Sequence, residues 1–209
     1  MFYLNIKKEC GVEDDLLFFV CQIANCIGYT PGYRYCLNKE DFKVMSVAFV
    51  ATYQNNYGYR PYAPESFEEL QKQINNADEI IGFGTAQFDD RILKENGVEI
   101  KTSYDLLEEI GFAAGHPLGY QDLMVEHGYD LNSIAKSNLN ILTDSSLQER
   151  AKLWQKNKGL DAVTGCFEEL KQVVEIYKKR NNLLDPTSGN VLRLRTPRSL
   201  LDDFARFPF

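Results

Sequence analysis

Residues 80–93, IIGFGTAQFDDRIL, constrain the fold more than any other stretch. A short apolar run ends at Gly82, a second glycine follows at Gly84, and Phe88-Asp89 opens a segment with helical spacing. The stretch reads as a buried strand, a tight glycine turn and a helix. Asp89 then has two readings. It is either an ordinary helix-start aspartate, favoured there by the helix dipole, or a metal ligand, and the stretch alone admits both. Its neighbour Asp90 is read as facing solvent.

The flanking segments supply the rest of a sheet. FYLNIK alternates, with Phe2, Leu4 and Ile6 on one face and Tyr3, Asn5 and Lys7 on the other, and reads as a first strand. Residues 10–43 are irregular and cysteine-rich, with a helix expected near 13–26. VMSVAFVATY (44–53) is a second strand, and a turn at Asn55-Asn56 leads to a third near 57–62. Ser66 and Glu69 have the spacing of a capping box, which predicts a helix to about 76. A short strand near 98–102 and helices near 104–111, 131–138 (capped by Asp130), 146–155 and 161–180 follow. Residues 112–129 read as a glycine-rich loop. Three strands followed by alternating helices and strands point to an α/β domain with a mixed sheet. The expected division is a domain over 1–182, with 10–43 as an unexplained insertion, and a C-terminal tail over 183–209.

Composition narrows the function. The 209 residues, 44% hydrophobic and 25% charged, are enough for one globular core. A net charge of −7, from 23 basic and 30 acidic residues, argues against strong non-specific DNA binding. It leaves room for a nuclease whose acids surround metal ions. No apolar run approaches the roughly 18 residues of a membrane span. The N-terminus lacks a signal-peptide layout, so a cytoplasmic protein with no membrane role is expected. The five cysteines are read as thiols, and the two histidines, His116 and His127, fit no zinc spacing.

On a wheel, residues 161–180 form one broad apolar arc, and Glu169 falls inside it near the edge. A carboxylate there is costly unless paired. It is either a boundary residue bonded to a Lys or Arg, or a carboxylate aimed at a site on the sheet. Asn5 and Lys7 share one face of the first strand, joined by Glu9 if that strand continues. That stripe either lines a site or faces solvent.

In order along the chain, FYLNIKKE, VMSVAFVATY, IIGFGTAQFDDRIL, SYDLLEEI and GCFEEL resemble the DEDD-type 3′–5′ exonucleases of the ribonuclease H-like superfamily. The likeness is greatest to predicted exonucleases related to the proofreading domain of family-B DNA polymerases. It covers 44–180 well and 1–8 weakly. It implies a ribonuclease H-like mixed sheet flanked by helices. It also implies a site where two ions, about 4 Å apart, activate water and stabilise the leaving oxygen. Mg²⁺ or Mn²⁺ would be the cofactor if the site is active, and otherwise there is none. Asp89 takes the family's second-motif position, and Glu169 takes the place of its last-helix Asp. Glu9 and Asp105 are further candidate ligands. The first-motif Asp and Glu are matched by the degenerate Asn5 and Lys7. A cation 4 Å from a bound cation costs about 4 kcal/mol per unit charge at an effective dielectric of 20. The family's water-activating positions hold Gly165 and Thr164. Three functions follow from these departures. The first is a diverged relative with impaired or lost catalysis, a nucleic-acid or protein binding module in DNA replication or repair. The second is an active two-metal exonuclease with substitute ligands, and the third a protein–protein adaptor with no nucleic-acid role.

The chain ends SLLDDFARFPF. Its Asp202, Asp203, Phe207, Pro208 and Phe209 resemble the tail tip of bacterial single-stranded-DNA-binding proteins, which implies a protein partner that captures the terminal aromatic and carboxylate. The other reading is an apolar tail that folds back or closes an oligomer interface. Arg193, Arg195 and Arg198 make the segment before it basic, a candidate phosphate contact. Single-stranded nucleic acid is the other expected partner.

Overall fold

The structure is a computed structural model that describes residues 15–25, 39–116, 122–141 and 146–197. A five-stranded mixed sheet is its centre, built from β1 (Leu16–Ile23), β2 (Val47–Gln54), β3 (Gly58–Tyr62), β4 (Glu79–Gly82) and β5 (Tyr104–Asp105), in the order β3-β2-β1-β4-β5. β1 runs antiparallel to β2, with Val20 opposite Ala51, and parallel to β4, with Phe18 opposite Ile81. β2 and β3 form an antiparallel hairpin, and β4 and β5 are parallel.

The central strand corrects the expected helix near 13–26. Leu16–Ile23 is extended, and both of its faces are covered. Phe18 and Val20 face one core and Leu17, Phe19, Cys21 and Ile23 the other. A strand buried on both sides reads as a continuous apolar run, and periodicity then cannot tell it from a helix. The FYLNIK segment lies outside the described residues.

The first core is closed by α7 (Gly159–Lys178) and α5 (Leu131–Leu139), with Cys166, Leu170 and Val173 against the sheet. The second is closed by α1 (Lys39–Met45), α2 (Phe67–Asn76) and α3 (Asp89–Glu95), through Phe42, Leu70, Ile74 and Ile92. α4 (Leu106–Ala113) follows β5, and α6 (Leu147–Gln155) precedes α7. Pro61 is tolerated because β3 is the sheet's edge. β6 (Leu183–Leu184) and β7 (Val191–Leu192) make a small ribbon, and Leu183, Leu192 and Leu194 are buried in the first core. The α/β class and the helix-flanked mixed sheet expected from the sequence are therefore present.

Four local expectations need correction. The 98–102 segment is not a strand; the fifth strand is Tyr104–Asp105. Ser66 makes no capping bond to α2. Pro64 starts a 3₁₀ turn just before it, and the Ser66 hydroxyl donates back to the Ala63 carbonyl at 2.9 Å. Asp90 is not a free solvent-facing acid, since its carboxylate accepts from the Thr102 N–H and hydroxyl, both at 2.8 Å. The loop expected over 112–129 holds the last residues of α4 and a π-helical turn at Asp122–Glu126. Asp130 does cap α5, accepting from Ser133 N–H at 3.0 Å.

Candidate functional site

The site forms where the end of β1, the start of α3, the first turn of α6 and the middle of α7 meet. α6 begins with a complete capping box, in which Glu149 N–H donates to Ser146 and Ser146 N–H donates to Glu149. That start fixes the helix phase. Leu147, Arg150, Ala151 and Trp154, at helical spacing, then face the protein, with Ala151 buried and Trp154 against the Phe49 ring.

Arg150 is the largest fully buried side chain among the described residues, at 1% exposure. Its Nε donates to Oε1 of Gln22 on β1 at 2.8 Å, and its Nη2 donates to Oε2 of Glu169 on α7, forming an ion pair. Gln22 is buried on the sheet face that α7 covers, and its own amide nitrogen donates to the Ile23 carbonyl at 2.9 Å. Glu169 is therefore bonded to an arginine, one of its two sequence readings. Its guanidinium puts a positive charge inside the site.

Asp89 lies in the first turn of α3 at 5% exposure. Its charge, with those of Glu169 and Arg150, acts on the thiol of Cys166. Burial is the main cause that pushes this thiol up, followed by Glu169, with Arg150 working the other way. The structure thus gathers Asp89, Glu169, Arg150 and Cys166 beside β1, and the Cys166 sulfur sits 4.0 Å from the Val20 carbonyl.

Asp105 does other work. Its carboxylate accepts from Gly84 N–H at 2.7 Å, Ala86 N–H at 3.1 Å and Leu107 N–H at 3.0 Å. It both caps α4 and clamps the glycine turn that leads into Asp89. Burial pushes its pKa up to about 6 against the opposing pull of the Gly84 and Ala86 amides. Gly165 is buried in α7, and the Thr164 hydroxyl donates to the Leu160 carbonyl at 2.9 Å. Arg195 forms a two-pronged pair with Glu109, at 2.6 and 2.8 Å, and its carbonyl accepts from the Tyr104 hydroxyl on β5 at 2.7 Å. Asn5, Lys7, Glu9, Phe207, Pro208 and Phe209 lie outside the described residues.

This donor set does not suit a pair of divalent ions. Among the described residues no group of three or more His, Cys, Asp or Glu side chains is arranged to hold a metal. Glu169 is already engaged by a cation. A divalent ion 4 Å from the guanidinium would meet a repulsion on the order of 8 kcal/mol at an effective dielectric of 20.

Sequence reasoning missed Gln22 and Arg150. The signal for Arg150 was present: Ser146-x-x-Glu149 marks a helix start, and Leu147, Arg150, Ala151 and Trp154 form its inward stripe. Gln22 was hidden by the misreading of β1.

No protein-family model matches the chain, and no curated protein is similar to it in sequence. Among solved structures, the family B DNA polymerase from the hyperthermophilic archaeon Pyrobaculum calidifontis has a similar fold. The likeness has a TM-score of 0.51 at 12% identity and covers 85% of this chain. The chain spans 26% of that polymerase, so the likeness is one of fold and covers a part of the larger enzyme.

Proposed function

We propose that the chain is a diverged relative of the metal-dependent 3′–5′ exonucleases, with catalysis impaired or lost. It acts as a binding module in nucleic-acid metabolism, with single-stranded nucleic acid as its first expected ligand. The mixed sheet and the fold likeness to part of a family B DNA polymerase support the comparison with the proofreading-type domain.

The observation that carries the loss of catalysis is Arg150, buried between Gln22 and Glu169. In this reading the first-motif pair of the exonucleases falls on the central strand at Val20 and Gln22, not at Asn5 and Lys7. The two are separated by one residue, on the strand face toward α7. One family carboxylate is then an apolar side chain and another a neutral amide. Asp89 and Glu169 keep their acids, and the positive charge beside them is supplied by the protein.

The test is Mn²⁺-dependent degradation of 3′-labelled single-stranded DNA and RNA by wild type, Asp89→Ala and Glu169→Ala. Fluorescence anisotropy on the same strands and thermal midpoints with and without Mn²⁺ run beside it. The expected result is binding without cutting and no Mn²⁺-induced shift. Cutting by wild type that both variants lose would overturn the reading. Neither cutting nor binding would remove nucleic acid as the ligand and favour a protein partner.

A further inference from the structure

A second polar site lies on the opposite face of the sheet, between β2, β3 and α2. Thr52, Gln54 and Gln73 are buried there and linked in a chain. The Thr52 hydroxyl lies 3.3 Å from Oε1 of Gln73, the Gln73 amide nitrogen donates to Oε1 of Gln54, and the Gln54 amide nitrogen donates to Asp15 Oδ1 at 3.0 Å. Each amide nitrogen carries two N–H groups and here uses one. Two buried amides therefore each keep a donor beside a cleft of about 210 Å³, which Gln54 and Gln73 line.

The rim of that cleft carries both signs of charge. Arg60 and Lys72 line it, and among the described residues neither makes an ion pair. Arg60 is held over the Tyr57 ring, 5.0 Å from its centroid, which fixes the guanidinium at the mouth. Asp15 and Glu69 supply carboxylates. Donors at the floor and cations at the rim favour an oxyanion, and the two acids favour an ammonium group. The volume is below the roughly 300–1,000 Å³ of pockets for drug-sized ligands, which leaves out a nucleotide.

We infer that this cleft binds a small zwitterion, a free amino acid with a polar side chain. Its carboxylate meets Arg60, Lys72 and the spare amide N–H groups, and its ammonium meets Asp15 and Glu69. The site is separate from Arg150, and the inference stands whether or not the proposed function does.

The test is the thermal midpoint and calorimetric titration of the full chain with L-glutamate, L-glutamine, glutarate and sodium chloride at matched ionic strength. Glutarate keeps the carboxylates and lacks the ammonium. The expected result is a rise of about 2–4 °C at tenfold the dissociation constant of L-glutamate or L-glutamine. Glutarate and chloride give none, and the rise is lost in the Arg60→Ala/Lys72→Ala double variant. Both side chains are exposed, so that variant should fold, and circular dichroism checks it. No shift beyond chloride, an equal shift with glutarate, or a shift that survives in the double variant would each overturn the inference.

Discussion

Arg150 in the first turn of α6 and Glu169 in the middle of α7 form an ion pair whose two partners differ sharply in depth, at 1% and 27% side-chain exposure. The depth difference makes the pair asymmetric. Removing Glu169 takes a carboxylate partner from a guanidinium in the core, whereas removing Arg150 leaves an acid that water can reach. Glu169→Ala should cost about 3–5 kcal/mol, near the range for a broken buried pair. Arg150→Met should cost at least about 1 kcal/mol less, because water screens the remaining acid. The double variant Arg150→Met/Glu169→Leu should recover much of the loss. Urea denaturation of the three proteins decides it. Equal costs for the two single variants would mean that the depth difference has no energetic consequence.

The turn between β4 and α3 depends on one distant carboxylate. Asp105 accepts from three backbone N–H groups, two of them in the turn that aims Asp89. Asp105→Ala leaves those donors buried and unmet, at a cost of about 3 kcal/mol. Asp105→Asn keeps an oxygen for Gly84 and Leu107 and loses the acceptor for Ala86, so it should cost about 1 kcal/mol. Amide hydrogen exchange should show the Ala86 N–H exposed in both variants and the Gly84 N–H exposed only in the alanine variant. Protection of Gly84 in Asp105→Ala would show that the turn holds itself.

Gly82 ends β4 against Thr85. A Cβ on Gly82 would lie 2.7 Å from the Thr85 Cβ, inside any real contact. Thr85 has little freedom to retreat. Its hydroxyl bonds the Thr102 hydroxyl at 2.8 Å, and its carbonyl accepts from Phe88 and Asp90 N–H groups. Gly82→Ala should therefore destabilise by about 1–3 kcal/mol and loosen the start of α3. A urea midpoint within error of wild type would show that Thr85 can shift after all.

The parts of this molecule that were legible in the sequence are those marked by turn residues or by a helical period. The hairpin of β2 and β3 is marked by its Asn55-Asn56 turn, the strand–turn–helix at 80–93 by its glycines, and α7 with its inward Glu169 by its amphipathic spacing. β1 carries neither mark: both of its faces are buried, and its apolar run reads equally as a buried helix. The two S-x-x-E patterns show the same limit on a smaller scale. At Ser146 the chain enters the helix from extended backbone and the capping box forms. At Ser66 the chain enters from a turn set by Pro64, and the same four residues make a different bond. A local pattern is decided by the backbone that leads into it.

The pH dependence of stability should carry the signature of Asp105. Burial raises its pKa to about 6 in the folded chain, against about 3.9 for an unfolded aspartate. Between those values the folded chain holds a proton that the unfolded chain has released, so this group's contribution is greatest below about pH 4 and falls as pH rises through 6. The full loss is about 3 kcal/mol. Asp90, also raised by burial, acts in the same direction, so wild type alone cannot isolate Asp105. Asp105→Asn does not titrate, and the free-energy difference between it and wild type cancels Asp90. That difference should move in favour of the variant by about 2 kcal/mol between pH 4.5 and 7.5, read by urea denaturation at each pH. If it stays flat, the three N–H donors outweigh burial, and Asp105 is ionised across the whole range.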